Sequence, residues 1–305
     1  MKDKDFVSIR DCSTEELKTI LASAHAIKGD PSKYSRRLEG KALALLLEKP
    51  SLRTRVSFEV GIHQLGGYSL CLTKAEINLG YRETARDIAK NLERMVQAIM
   101  IRTFSHDIVE QVAREAGVPV INGLTDFSHP CQAMADYMTI EEVKGSLEGL
   151  KIAYIGDGNN VAHSLIFGAV RFGAHLVVAT PQGYEPKPQV MKWARENSDA
   201  TGSRIEFFHD PVVAAELADV VNTDVWASMG KESEAAERKD AFHRYQINDS
   251  LVSHAKPDYL FMHCLPAHRG EEVSDSVIDS PHSVVFQQAE NRLHSQKAIL
   301  IALMG

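Results

Sequence analysis

Two doubly wound α/β domains, each a mainly parallel sheet flanked by helices, are predicted by this sequence on three observations. Short apolar runs alternate with longer stretches of helical periodicity along almost the whole chain, which is the signature of βαβ units. The 305 residues exceed what most single cores hold and suit two domains of ordinary size. A polar, glycine-bearing stretch from Glu142 to Gly149 ends one helical segment and precedes a fresh strand, marking the divide. The first domain is expected over 1–143, completed by a returning C-terminal helix over 287–305, and the second over 148–286.

The elements follow in order. Ala42 to Leu47 is an unbroken apolar run of strand length, as in a strand buried on both faces. Further strands are expected at Tyr68 to Leu72, Ala98 to Ile101 and Val118 to Ile121, with helices near Val56 to Leu65, Ala85 to Met95 and Ile108 to Ala116 between them. A helix from His129 to Glu142 leads to the divide, and Pro130 suits its first turn, where a missing N–H costs nothing. The second half repeats the rhythm with strands near Ile152 to Ile155, His175 to Ala179, Ile205 to Phe208, Val220 to Asn222 and Leu260 to His263. The last helix, about Ala289 to Met304, follows the final strand and is placed back on the first domain.

Hydrophobic residues at 44% and charged residues at 25% describe a soluble globular chain rather than a disordered one. A formal net charge of -7 and a pI near 6.0 argue against nucleic acid or an anionic membrane as bulk partner, so any bound anion must be gripped locally. Cys12, Cys71, Cys131 and Cys264 are widely spaced, which suggests neither a zinc knuckle nor a disulfide framework and fits a reducing cytoplasm. Met1 to Arg10 lacks the apolar core of a signal peptide, and no run approaches the roughly 18 apolar residues of a membrane span. The mature protein is expected to start near Met1.

In open parallel sheets ligands bind beyond the carboxyl ends of the strands. Six polar segments occupy such places: Ser51 to Arg55, Arg102 to His106, Thr125 to Gln132, Gly156 to Asn160, Asp224 to Gly230 and His263 to Arg269. The first, Ser51-Leu52-Arg53-Thr54-Arg55, gathers two guanidiniums and two hydroxyls where a helix begins. A helix start leaves about four N–H donors unpaired and carries partial positive charge, and arginine offers a fork that matches phosphate oxygens in pairs. An N-capped surface helix with solvated arginines accounts for this segment equally well. His129, Gln132 and Asp136 share one helix face, where an imidazole and an amide can polarise a carbonyl and hold an amide nitrogen; a capping turn with a partly buried histidine is the plainer alternative.

Gly156-Asp157-Gly158-Asn159-Asn160-Val161 imitates a dinucleotide fingerprint but puts Val161 at the third glycine position, and the next strand ends at Ala179-Thr180 without an acidic ribose ligand. No nicotinamide cofactor is expected, and the tandem asparagines can instead face an amino acid or simply shape a turn. Asp224-Val225-Trp226-Ala227-Ser228-Met229-Gly230 reads as a lid with an exposed tryptophan and methionine that brings a carboxylate to an amine-bearing substrate, or as a loop packed on a neighbouring helix. In His263-Cys264-Leu265-Pro266 adjacent side chains should point to opposite faces, which argues against metal and leaves Cys264 as a thiol that contacts substrate. Arg292, in the last helix, can reach toward the cleft or be a solvated charge.

Taken together the segments resemble the aspartate/ornithine carbamoyltransferase family. S-x-R-T-R-x-S-F-E at Ser51 to Glu59 and H-P-x-Q at His129 to Gln132 are similar to motifs shared across it; D-x-W-x-S-M-G at Asp224 to Gly230, H-C-L-P at His263 to Pro266 and Asn291-Arg292 resemble the ornithine-specific branch. The resemblance runs nearly end to end, in order. It implies that the first domain binds carbamoyl phosphate and the second L-ornithine, giving L-citrulline and phosphate without metal, cofactor or covalent intermediate.

By the same resemblance Ser51, Leu52 (through its backbone), Arg53 and Thr54 hold the phosphate, and Arg102 bridges phosphate and carbonyl. His129, Thr54 and Arg292 polarise the carbonyl oxygen, while Gln132 and the backbone of Cys264 and Leu265 hold the amide. Asn160, Asp224, Ser228 and Met229 match ornithine-binding positions, with Asn159 as the competing asparagine. Arg102, His129, Asp224, Cys264 and Arg292 are the implied catalytic group. Leu52 departs from the threonine common in relatives, and Asn78 sits in a loop that in relatives reaches a neighbouring subunit, within an assembly built on trimers. His268 to Val273 is more similar to biosynthetic members. The rivals are a relative acting on aspartate, putrescine or acylated ornithine, a non-enzymatic anion sensor, and a dehydrogenase already weakened by Val161 and Thr180.

Overall fold

The structure is a computed structural model that describes residues 1, 4–79, 81–227, 230 and 232–305. The chain forms two compact units, one of 1–138 with 290–305 and one of 139–289.

The first unit contains α1 (Thr14–Gly29), β1 (Ala42–Leu47), α2 (Leu52–Gln64), β2 (Tyr68–Thr73), α3 (Lys74–Ile77), α4 (Ala85–Leu92), β3 (Ala98–Arg102), α5 (His106–Glu115), β4 (Val120–Leu124) and the start of α6 (Pro130–Lys144). Its four strands are parallel in the order β2-β1-β3-β4. β1 is buried at all six positions because it has a neighbour on each side and is covered on both faces, whereas edge strand β2 alternates exposed and partly buried residues. Ala44, Leu46, Ile99, Ile101, Val109, Val112 and Val120 pack together in its core.

The second unit contains β5 (Lys151–Ile155), α7 (Asn160–Phe172), β6 (His175–Ala179), α8 (Pro188–Asn197), β7 (Ile205–Phe208), α9 (Pro211–Ala215), β8 (Val220–Thr223), α10 (Ala235–Phe242), α11 (Asp249–Val252), β9 (Leu260–His263), α12 (Asp275–Ile278) and the start of α13 (Val285–Met304). Its strands are parallel in the order β7-β6-β5-β8-β9. The two parallel sheets with flanking helices are those expected from the sequence, and the C-terminal part of α13 belongs to the first unit.

Boundaries moved where local chemistry outweighs apolar pattern. β4 begins at Val120 rather than Val118, because Pro119 has no N–H for the ladder and offers only its carbonyl, to Ile99. α2 begins at Leu52, four residues ahead of its apolar face, because Ser51 caps it. α13 begins at Val285, and α4 stops at Leu92 instead of Met95. Among the described residues no helix is long and apolar enough to cross a membrane.

In the first sheet the chain winds outward from β1 to β2 and then reverses to β3 and β4; in the second it winds from β5 through β6 to β7 and reverses to β8 and β9. The switch points therefore lie between β1 and β3 and between β5 and β8, the places where such sheets open a crevice at their carboxyl edge.

Candidate active site

At the first switch point Ser51 sits in extended backbone and its Oγ accepts from the Thr54 N–H at 3.2 Å, starting α2. Arg102, the last residue of β3, donates to Thr54 Oγ1 at 3.4 Å. Arg292, from α13, donates to the same oxygen at 3.1 Å and to Gln132 Oε1 at 2.6 Å. With its amide oxygen turned to the guanidinium, Gln296 accepts from Arg292 Nε at 3.1 Å and Nη2 at 2.9 Å. Gln132 in turn donates to Asp136 Oδ1 at 2.8 Å. Thr54, Arg102, His129, Gln132 and Arg292 are all buried.

His129 reports the local potential. Burial, and then the charges of Arg292, Arg102 and Arg53, hold its imidazole well below the usual histidine range, so the ring is neutral at pH 7. A neutral ring there is a hydrogen-bond donor rather than a proton source, and the same field attracts an anion. Cys131, next to Pro130, is no nucleophile: burial pushes its thiol up to about 12. Leu52 is 74% exposed at the first position of α2 and brings only its N–H to the helix start. Asn78 closes α3 in the left-handed conformation, φ 45°, outside the hydrogen-bonded group around Thr54.

At the second switch point Asn159 caps α7, its Oδ1 accepting from the N–H groups of Val161 (2.9 Å) and Ala162 (3.2 Å). Its Nδ2 donates to Asp224 Oδ2 at 2.7 Å, and the Cys264 thiol donates to Asp224 Oδ1 at 3.0 Å. Asp224 is thus held by donors from the ends of β5 and β9 while standing at the end of β8. Asn160 is the first residue of α7 and is buried. Of the two asparagines, Asn159 has its amide committed at both ends, which makes it the support for Asp224. Asn159→Ala is expected to lose about 1–2 kcal/mol of stability with the cap, which denaturant titration checks.

The glycine turn before α7 is explained by packing. A Cβ on Gly158 would lie 2.2 Å from Pro186 N and 2.5 Å from Tyr184 O, so this glycine lets the chain pass against 184–186. Two expectations need correction. Trp226 is buried and stacks on Phe242 at 6.0 Å, because α10 covers it, so it belongs to the core instead of an exposed lid. His263 and Cys264 do not diverge: β9 ends at His263, strand alternation stops there, and the possible ligand atoms of Asp224, His263 and Cys264 lie within 4.8 Å of one another. The His263 ring is nevertheless engaged on both sides, accepting from the Leu265 N–H at 2.8 Å and meeting Glu272 Oε1 at 3.1 Å, so it shapes the turn that carries Cys264 and Leu265. Ser228 and Met229 lie outside the described residues.

Sequence reasoning missed the supports. Arg238, buried in α10, donates to Asp157 Oδ2 (2.9 Å), the Trp226 carbonyl (2.8 Å) and Glu234 Oε2 (2.8 Å), tying the glycine turn to the segment after Asp224. Nothing in Ala-Ala-Glu-Arg-Lys-Asp-Ala-Phe distinguishes it from a solvated helix charge. Gln296 was findable, one turn beyond Arg292 on the same helix face.

The family models described as the carbamoyl-P binding domain and the Asp/Orn binding domain of aspartate/ornithine carbamoyltransferase match residues 4–142 and 148–303. The chain is 59% identical over 304 residues to the ornithine carbamoyltransferase of Thermococcus kodakarensis, covering 99% of this chain and 96% of that one. It is 57% identical over 304 residues to the anabolic ornithine carbamoyltransferase of Pyrococcus furiosus, with the same coverage. The solved structure of the Pyrococcus furiosus enzyme superposes with a TM-score of 0.97 at 56% identity, covering 100% of this chain and 98% of that chain, and that from Thermus thermophilus with 0.90 at 43%, covering 100% of each. With its motifs in order, both switch points built as described and full-length likeness of this degree, the chain belongs to the aspartate/ornithine carbamoyltransferase family.

Proposed function

We propose that the protein is an ornithine carbamoyltransferase of arginine biosynthesis, forming L-citrulline and phosphate from carbamoyl phosphate and L-ornithine. The observation that carries this reading is the convergence of Arg102 and Arg292 on Thr54 at a helix start, in a field that keeps His129 neutral. Residues 1–143 with 287–305 form the carbamoyl-phosphate domain and 148–286 the ornithine domain. Ser51, Arg53, Thr54 and the Leu52 N–H take the phosphate, and Arg102 spans phosphate and carbonyl. His129 and Arg292 donate to the carbonyl oxygen as charge builds there, and Gln132 orients the carbamoyl amide. Asp224, with Cys264 beside it, and Asn160 receive ornithine, together with Ser228 and Met229.

The chemistry needs prealigned donors more than proton relays: a neutral amine adds to the carbonyl carbon, negative charge moves to oxygen, and phosphate departs with the bonding pair. An anionic Asp224 favours a cationic amino acid over aspartate, whose second carboxylate it would repel. A colorimetric assay with carbamoyl phosphate and a panel of ornithine, aspartate, putrescine and N-acetylornithine tests the reading. Ureido product from ornithine alone is expected; product from another acceptor reassigns the substrate, and binding without product makes the protein an anion sensor.

An alkyl amine such as ornithine's has a pKa near that of lysine, about 10.4, so its reactive neutral fraction grows with pH. Activity is therefore expected to rise between neutral and mildly alkaline pH, and His129, neutral throughout that range, adds no second limb. A flat profile under conditions where chemistry limits the rate contradicts this.

The exposed apolar positions Leu52, Val56 and Val60, at i, i+4 and i+8 on α2, with Tyr68 and Leu70 on edge strand β2, favour a homo-oligomer, taken here as a trimer in the cytoplasm, with Asn78 directed to a neighbouring copy. Sedimentation as a monomer would remove that part.

A further inference from the structure

Glu48 follows β1 directly, and three bonds tie it to two other turns, the one after β3 and the one after α3. Its backbone N–H donates to the Arg102 carbonyl at 2.9 Å. Its Oε2 accepts from the Thr103 hydroxyl at 2.6 Å, and its Oε1 accepts from the Leu79 N–H at 2.8 Å. The adjacent Lys49 is buried and holds its ammonium 3.7 Å from the centre of the Phe104 ring. Consecutive residues after β1 thus clasp consecutive residues after β3.

Arg102 needs such a clasp. The pairing of β3 with β4 shifts register between Ile101 and Arg102, with Gly123 as the extra residue, so the regular ladder on that side is interrupted where Arg102 must aim its guanidinium at Thr54. On the other side, Glu48 also fixes the N–H of Leu79, the residue after Asn78, whose left-handed φ of 45° asparagine adopts more readily than most residues other than glycine. One carboxylate therefore joins the turns that begin α2, follow α3 and follow β3.

We propose that Glu48 is a positioning residue for the carbamoyl-phosphate site, setting Arg102 and the Asn78 turn against the start of α2 without touching substrate. This rests on the assignment of that site to the anion. Glutamine can reproduce both side-chain bonds, its oxygen accepting from Leu79 N–H and its NH2 donating to the Thr103 hydroxyl; alanine can reproduce neither. Calorimetric titration of the full-length protein with carbamoyl phosphate is the test, with Michaelis constants for both substrates. Glu48→Ala is expected to weaken carbamoyl phosphate by roughly tenfold or more, the effect of losing about two hydrogen bonds, and Glu48→Gln to restore most of it. Thr103→Val, a milder change, is expected to shift affinity in the same direction by a few-fold. The ornithine constant should stay put at saturating carbamoyl phosphate.

Wild-type affinity in Glu48→Ala, or Glu48→Gln as impaired as Glu48→Ala, overturns the proposal. If Glu48→Ala does not fold, unchanged affinity in Thr103→Val overturns it instead. Arg53→Ala run alongside separates the two ideas: unchanged binding in that variant removes the anion site itself, whereas lost binding there with normal binding in the Glu48 and Thr103 variants removes only the clasp.

Discussion

Arg102→Ala is expected to lower kcat/KM about 100- to 1000-fold, the loss typical of one prealigned donor at a developing oxyanion. The guanidinium is buried at a strand end and shares the Thr54 hydroxyl with Arg292, so alanine removes charge without deleting a support of the core. Arg102→Lys should recover only part of the loss, because an ammonium restores the charge but not the planar fork. A second readout is independent of turnover. Arg102 is one of the charges that depress His129, so the imidazole should titrate at higher pH in Arg102→Ala, visible by NMR. Unchanged kinetics together with an unmoved His129 would take Arg102 out of the site.

Asp224→Asn is expected to weaken ornithine by about 2 kcal/mol or more, roughly 30-fold, as for one partner of a desolvated charge pair. Affinity for carbamoyl phosphate should not change. Asparagine keeps an oxygen to accept from the Asn159 amide and turns its NH2 toward the Cys264 sulfur, a weak acceptor, so the strand ends stay joined and the loss reads the charge. Michaelis constants for ornithine and calorimetry for carbamoyl phosphate decide it, and equal weakening of both ligands would point to disrupted folding.

The sequence carried the strands because parallel strands with two neighbours are nearly pure runs of leucine, isoleucine, valine and alanine, as in Ala42–Leu47. The candidates Ser51, Arg102, His129 and Asp224 were legible in the sequence because each stands at a strand's carboxyl end or a helix start, where position alone nominates residues for a site. It did not carry Arg238, whose partners Asp157, Trp226 and Glu234 converge only after folding. Nor did it carry Trp226, since an aromatic in a loop gives no sign of the helix that will cover it. Glu48 was passed over for a related reason: an acidic residue between a strand and a proline looks solvated until two other turns close on it. What a side chain binds through distant neighbours is the part local pattern leaves unwritten.

The reversal of winding in each sheet has an evolutionary corollary. On the proposed assignment, donor handling rests on residues after β1 and β3, and the choice of acceptor on residues after β5, β8 and β9. A handful of edits in the later loops can therefore retune which amine is carbamoylated while leaving the machinery for the activated phosphate inherited intact, so new substrate preferences can diversify on one unchanged half.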